Sequence, residues 1–302
     1  MKKFKLYLLC LMFLGLILAN RGIANGNWNL VLTTEIQTAD FSAGAPGVGL
    51  VGFLDEVYGL AIGPHGEIRY TESGGKEWQR ANCPNFPAEL NGLEILDVNT
   101  AWSSGGSFNR VTRDGGRNWS ALPDYGSLYT PGRYLSFING KTGWFGATNQ
   151  VAATNDGGVN WTPVNLPKDT QGDIMAVHLL SENIGYILSN HGVLYRTQDG
   201  GQTWEPMRLP LKGRKPVSVI PYAPIETVRF QDIMHGIMVL YAEKPRGFYI
   251  LKTEDGGKHW REESLPPDSG VTLGNVFLSR DGKYLTINDI HHNRILLFKH
   301  NT

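Results

Sequence analysis

Cysteine is almost missing from this chain: 302 residues hold only Cys10 and Cys83, and Cys10 falls inside an apolar leader. A disulfide framework is therefore excluded for everything after the leader, and stability has to come from packing. Net charge is missing too, with 28 Lys and Arg against 28 Asp and Glu. Without residues 1–24 the balance is 24 basic to 28 acidic, a net charge of minus four that argues against nucleic acid as a partner. The longest apolar run, Leu6 to Ala19, has 14 residues, short of the roughly 18 to 20 that span a bilayer. There is no nucleotide-binding glycine loop, metal-protease helix or nucleophile elbow. No catalytic residue, cofactor or metal is expected from motif.

Glycine and aromatic residues are abundant: 37 Gly with 8 Trp, 12 Tyr and 12 Phe. That composition favours many short strands and tight turns over long helices. Lys2, Lys3 and Lys5 precede the apolar run, and Gly22-Ile23-Ala24 offers small residues at a cleavage site. Residues 1–24 thus read as a signal peptide cut after Ala24, and residues 25–302 as one domain delivered to the periplasm, the cell envelope or the medium, with no stable membrane insertion.

A repeat organises that domain. Thr-x-Asp-Gly-Gly-x-x-Trp runs from Thr112 to Trp119, Thr154 to Trp161, Thr197 to Trp204 and Thr253 to Trp260, with Thr71 to Trp78 carrying Ser73 in place of Asp. The Trp-to-Trp steps are 41, 42, 43 and 56 residues, a period that means stacked supersecondary units. Before each Trp lies a small or aromatic doublet followed by a turn, as in Gly143-Trp144-Phe145-Gly146. Each unit therefore reads as four antiparallel strands, a propeller blade. The box falls between the third and fourth strands: Asp114, Asp156, Asp199 and Asp255 cap their own turns, the glycines supply positive φ, and Trp78, Trp119, Trp161, Trp204 and Trp260 pack into the blades. After Trp260 three strands follow with no box, while Asn27-Trp28-Asn29 near the start resembles a fourth strand. Trp28 then completes the last blade and closes the ring. The expected fold is all-β, a six-bladed β-propeller, with seven blades as the alternative if the long step hides another.

The boxes TRDGGRNW, TNDGGVNW, TQDGGQTW and TEDGGKHW resemble the Asp-box, or bacterial neuraminidase repeat. The flanking pattern, as in FINGKTGWFGATNQVAATNDGGVNW, is similar to the repeats of the photosystem II stability and assembly factor family and its non-photosynthetic bacterial relatives, over most of residues 50–302. The resemblance implies a propeller that acts as an assembly scaffold. The family is usually seven-bladed, and a count of six departs from it. Asp-boxes also occur in sialidases, but no Arg-Ile-Pro motif appears early in the chain, and a triad of Arg133, Arg246 and Arg294 is a free choice among many.

Topology sorts the loops into two faces. Box turns share one face with the turns between strands one and two; the turns between strands two and three share the other with the links between blades. Insertions at Thr33 to Gly49, Ala81 to Asn91, Leu122 to Tyr134 and Pro206 to Glu226 concentrate on this link face. Binding is expected there, on Tyr125, Tyr129, Arg133, Tyr134, Arg214, Tyr222 and Arg246, because Tyr and Arg favour protein or glycan contacts. His65, His191 and His291 fall in turns on the same face, and the ordinary reading is that such turns accept His as they accept Asn. The function expected is a non-catalytic binding or assembly scaffold for a protein or glycan. The alternative is a glycosidase or lyase with its site at the channel mouth.

Overall fold

The computed structural model describes residues 27–34, 49–63, 66–83, 90, 92–105, 108–123, 134–147, 149–167, 170, 174–210, 227–243, 246–266, 274–289 and 294–301. They form six four-stranded antiparallel sheets, and no helix other than an isolated 3-10 position is present among them. Blade 1 is β2 (Leu50–Phe53), β3 (Gly59–Ile62), β4 (Ile68–Thr71) and β5 (Gln79–Arg80). Blade 2 is β6 (Gly92–Ile95), β7 (Ala101–Gly105), β8 (Phe108–Thr112) and β9 (Trp119–Ala121). Blade 3 is β10 (Tyr134–Phe137), β11 (Gly143–Ala147), β12 (Gln150–Thr154) and β13 (Thr162–Val164). Blade 4 is β14 (Ile174–Leu179), β15 (Gly185–Ser189), β16 (Val193–Thr197) and β17 (Glu205–Arg208). Blade 5 is β18 (Thr227–Phe230), β19 (Gly236–Glu243), β20 (Arg246–Thr253) and β21 (Arg261–Glu263). Blade 6 is β22 (Gly274–Leu278), β23 (Tyr284–Asp289) and β24 (Arg294–His300), and its outer strand is β1 (Trp28–Thr34), from the other end of the chain.

Inner strands of successive blades touch around the ring, and β2 meets β22 to close it. The count is six. The long 56-residue step hides no further blade. Part of it extends the β19 and β20 hairpin, whose strands are eight residues each, and the rest lies in residues 211–226, outside the described set.

The cores lie between blades. Trp102 of blade 2 stacks flat on Phe137 of blade 3 at 3.7 Å, and Tyr186 of blade 4 does the same on Phe230 of blade 5 at 3.8 Å. The small residue of the doublet follows from this packing. Gly143 pairs with Phe137, and a Cβ there would stand 2.4 Å from the Phe137 ring; Gly236 stands to Phe230 in the same way at 2.7 Å. Only glycine leaves the ring room to lie over the strand.

The box turns are joints as well as turns. In each full box the Thr hydroxyl accepts the N–H of the second glycine, as Thr154 does from Gly158 at 3.0 Å, and donates to the Asp carboxylate. The second glycine docks on the blade before it. At Gly201, with φ of 92°, a Cβ would sit 2.4 Å from Cγ1 of Val164 on the outer strand of blade 3. Asn82, just past β5, exchanges backbone hydrogen bonds with Arg117 and Trp119 of the next box at 2.8 and 2.9 Å. Trp119 and Trp28 are buried, whereas Trp78, Trp161, Trp204 and Trp260 are half-buried.

Candidate functional site

Each Asp-box carboxylate is consumed by its own turn. Asp156 accepts from the backbone N–H groups of Val159 and Asn160 at 3.0 and 2.9 Å and from the Asn160 side chain at 2.7 Å. These bonds hold its pKa down at about 2. The side-chain and backbone donors of Thr203 do the same for Asp199, and the His259 N–H and ring for Asp255, both at about 2. Burial opposes ionisation of Asp114, but its bonds to Asn118 and Thr112 prevail and lower it.

A second cap accompanies the box. In the turn between strands one and two, Asp55, Asp97, Asn139 and Asp232 accept backbone N–H groups two and three residues on, all at 2.7 to 2.9 Å. The first box glycine then donates to that turn, as Gly157 does to Lys141 and Gly256 to Met234, both at 2.8 Å. Backbone bonds thereby knit the turns of the box face together, and around blade 3 these turns frame an open cleft of about 890 Å³ lined by Arg113, Asn139, Lys141, Asp156 and Glu182. This repeat of Asp or Asn after the inner strand was visible in the sequence at a constant offset from the doublet.

The axis of the ring holds a polar cluster whose contacts cross the molecule. Glu94 on β6 pairs with Arg229 on β18, the facing blade, and its other oxygen accepts from Phe137 N–H at 3.4 Å. Arg280, in the turn after β22, donates to the Phe137 carbonyl of its own facing blade and lies 3.7 Å from Glu94. Burial together with Arg229 and Arg280 pushes the His178 ring well below its usual range, and its Nε2 bonds the Phe230 carbonyl at 2.9 Å. The remaining bore is lined by Leu50, Leu93, Leu135, Val177, Val276 and Phe277 around a cavity of about 40 Å³. That volume holds a water or two.

Of the expected binding-face residues, Tyr125, Tyr129, Arg133, Arg214, Tyr222, His65 and His291 lie outside the described residues. Tyr134 differs from the expectation of an exposed link loop: it opens β10, is half-buried and lines the link-face mouth of the bore. Its alternation with Leu135 put it in the strand rather than before it. Pro206 to Arg208, read as loop, are likewise in β17. Arg246 begins β20, paired with Glu243 in the backbone register, and His191 is an exposed turn residue between β15 and β16. Among the described residues no group of three His, Cys, Asp or Glu could hold a metal ion, and no helix is long and apolar enough to cross a membrane.

Six blades, four with a full Asp-box and one with its Ser73 variant, closed by an N-terminal strand define the class: a BNR-type β-propeller. The sequence pattern of the family described as photosynthesis system II assembly factor YCF48 matches residues 133–226. Among solved structures, YCF48 bound to D1 peptide aligns at a TM-score of 0.54 with 15% identity, covering 93% of this chain and 98% of that one. YCF48 from Cyanidioschyzon merolae aligns at 0.53 with 16% identity, over 90% and 98%. A streptogramin B lyase aligns at 0.58 with 13% identity, over 91% and 98%. No curated protein matches the chain. The chain is a propeller that resembles the YCF48 assembly-factor family.

Proposed function

We propose that this protein is a non-catalytic, exported scaffold that offers its link face to a protein partner. The observation that carries the reading is the filled axis. Apolar side chains and the Glu94–Arg229 pair leave about 40 Å³, while small-molecule pockets run to roughly 300 to 1,000 Å³. A partner would meet a surface rather than a bore. The box face spends its turn carboxylates and backbone donors on its own turns, and the sequence places the insertions with their Tyr and Arg residues on the link face, which favours that face for the partner. The YCF48 neighbour bound to D1 peptide supports a peptide segment as the recognised element. Glycan recognition is the second ligand class, favoured by the same aromatic residues. Lyase and glycosidase neighbours share the fold at 11 to 14% identity, and no single observation in this chain favours their chemistry.

The test is a pull-down from host envelope extract with the full chain, in parallel with a glycan array. A specific protein partner that is lost on changing Tyr129 and Arg133 together, but kept on changing Val98 on the box face, is the expected result. Glycan binding with no protein partner, or a partner lost only with Val98, would overturn it.

A further inference from the structure

One turn on the box face departs from its counterparts. In the turn between strands one and two, the residue after the capping side chain is Glu56 in blade 1, Val98 in blade 2, Glu182 in blade 4 and Ile233 in blade 5, and all four are exposed. Blade 3 has Gly140 there. The backbone does not require it. Gly140 has no positive φ, and a Cβ on it would meet only Nη1 of Arg113, at an ordinary contact distance of 3.5 Å. What the missing side chain leaves is room: the open cleft at blade 3 measures about 890 Å³, within the roughly 300 to 1,000 Å³ of small-molecule sites.

The charges around this cleft are sorted by blade. Arg113, from the box of blade 2, lies over the cleft floor, with Nη2 3.3 Å from where a Cβ on Gly157 would stand. Lys141 belongs to the blade 3 turn, and Glu182 comes from blade 4 on the far side of it. Arg113, Lys141 and Glu182 are all exposed, and none of their side chains makes an ion pair or hydrogen bond with another described residue. Elsewhere on this face such charges are spent on one another. In the box position that Arg113 holds, Glu72 of blade 1 pairs with Arg117 at 2.6 Å and Glu254 of blade 5 with Arg261 at 3.1 Å. Asp156 also borders the cleft but is engaged by its own turn. The free positive charge therefore lies toward blade 2 and the free carboxylate toward blade 4.

We propose that this cleft binds a small zwitterion with a free carboxylate and a free ammonium, an amino acid or a peptide of two or three residues, its carboxylate on Arg113 and Lys141 and its ammonium on Glu182. A planar guanidinium matches a carboxylate with two parallel hydrogen bonds. A ligand of one sign satisfies one end of the cleft and is repelled at the other. A zwitterion satisfies both ends, and two cations with two carboxylates already balance around the cleft. The exposed Asn155 amide, on the same wall, offers a donor and an acceptor for a peptide group. The site lies on the face opposite the link loops, so a small ligand here leaves the proposed partner surface open.

A thermal-shift screen of the full chain against the common amino acids, diglycine and triglycine, with calorimetry on each hit, tests this. At least one of these zwitterions is expected to bind saturably. Its N-acetyl and C-amide derivatives, each lacking one charge, should bind about tenfold or more weakly. Arg113→Gln/Lys141→Gln is expected to erase the penalty of amidation and Glu182→Gln that of acetylation, which assigns each end of the ligand to its residues. Gly140→Ile gives the turn the residue that blade 5 carries, so it should abolish binding while the unliganded chain keeps its unfolding midpoint. No saturable binding of any of these zwitterions overturns the proposal, as does equal binding of the blocked derivatives or binding that survives Gly140→Ile.

Discussion

Ring closure depends on one carboxylate, and removing it should be costly. Glu263, on the outer strand of blade 5, is 7% exposed and accepts from Trp28 Nε1 at 3.0 Å, Asn27 at 2.6 Å and Arg261 at 3.3 Å, with His300 Nε2 at 3.2 Å. Trp28 and Asn27 belong to the start of the chain, His300 to its end. Glu263→Ala leaves the buried indole N–H and the buried His300 ring without their acceptor. Each orphaned group costs about 1 to 3 kcal/mol, and breaking a buried ionic contact about 3 to 5. We expect a loss of about 3 to 5 kcal/mol. Glu263→Gln keeps one acceptor oxygen and should lose less. The pH dependence has a definite sign. Burial pushes the Glu263 carboxyl up, but the bonds from His300 and Asn27 outweigh it and hold the pKa at about 2, below its ordinary value of 4.5. A depressed carboxyl stabilises the fold above its unfolded pKa, and that stabilisation fades as pH falls from there through about 2. By linkage the contribution is on the order of 3 kcal/mol. The assay is urea unfolding of wild type and Glu263→Gln at a series of pH values, reading the difference between them so that the box aspartates cancel. The difference should shrink as pH falls from 5 toward 2. A pH-independent difference, or a Glu263→Ala variant within about 1 kcal/mol of wild type, would refute the latch.

The other expectations concern packing and turns. Trp119→Ala should cost about 3 to 5 kcal/mol because the ring is buried, and Trp161→Ala less because it is half-exposed, measured as urea midpoints. Asp156→Ala should cost about 1 to 2 kcal/mol, the loss of a turn cap, in the same assay. Glu94→Ala strands the Arg229 guanidinium and should cost about 3 to 5 kcal/mol, whereas Glu94→Leu combined with Arg229→Met should recover most of it; equal losses would mean the axial pair is not coupled. Gly201→Ala should cost about 1 to 3 kcal/mol, since φ is 92° and the new Cβ would meet Val164, with thermal unfolding as the check.

The candidate site was less legible in the sequence than the fold, for a physical reason. Turn chemistry is local: Thr154, Asp156 and the two glycines of a box satisfy one another within a few residues, so their spacing reports the turn directly. Blade number followed from counting such turns, and the ring closure from Trp28 standing where a fourth strand should start. Tyr134 was misplaced because one residue decides whether a strand edge or a loop tip is meant, and alternation is weakest at ends. The residues proposed for binding on the link loops carry no periodicity, so composition alone marked them.

What the sequence determined by itself was every contact whose partners lie within one repeat: the boxes, the doublets, the four-strand units and their number. What only the tertiary structure decided was every contact between residues that the chain order keeps apart. Glu94 meeting Arg229 across the axis and Glu263 gathering both chain ends depend on how six twisted sheets are arranged around a ring. A repeat encodes its own shape in each copy, but the meeting of facing blades is set by ring size and blade twist, which no single copy contains.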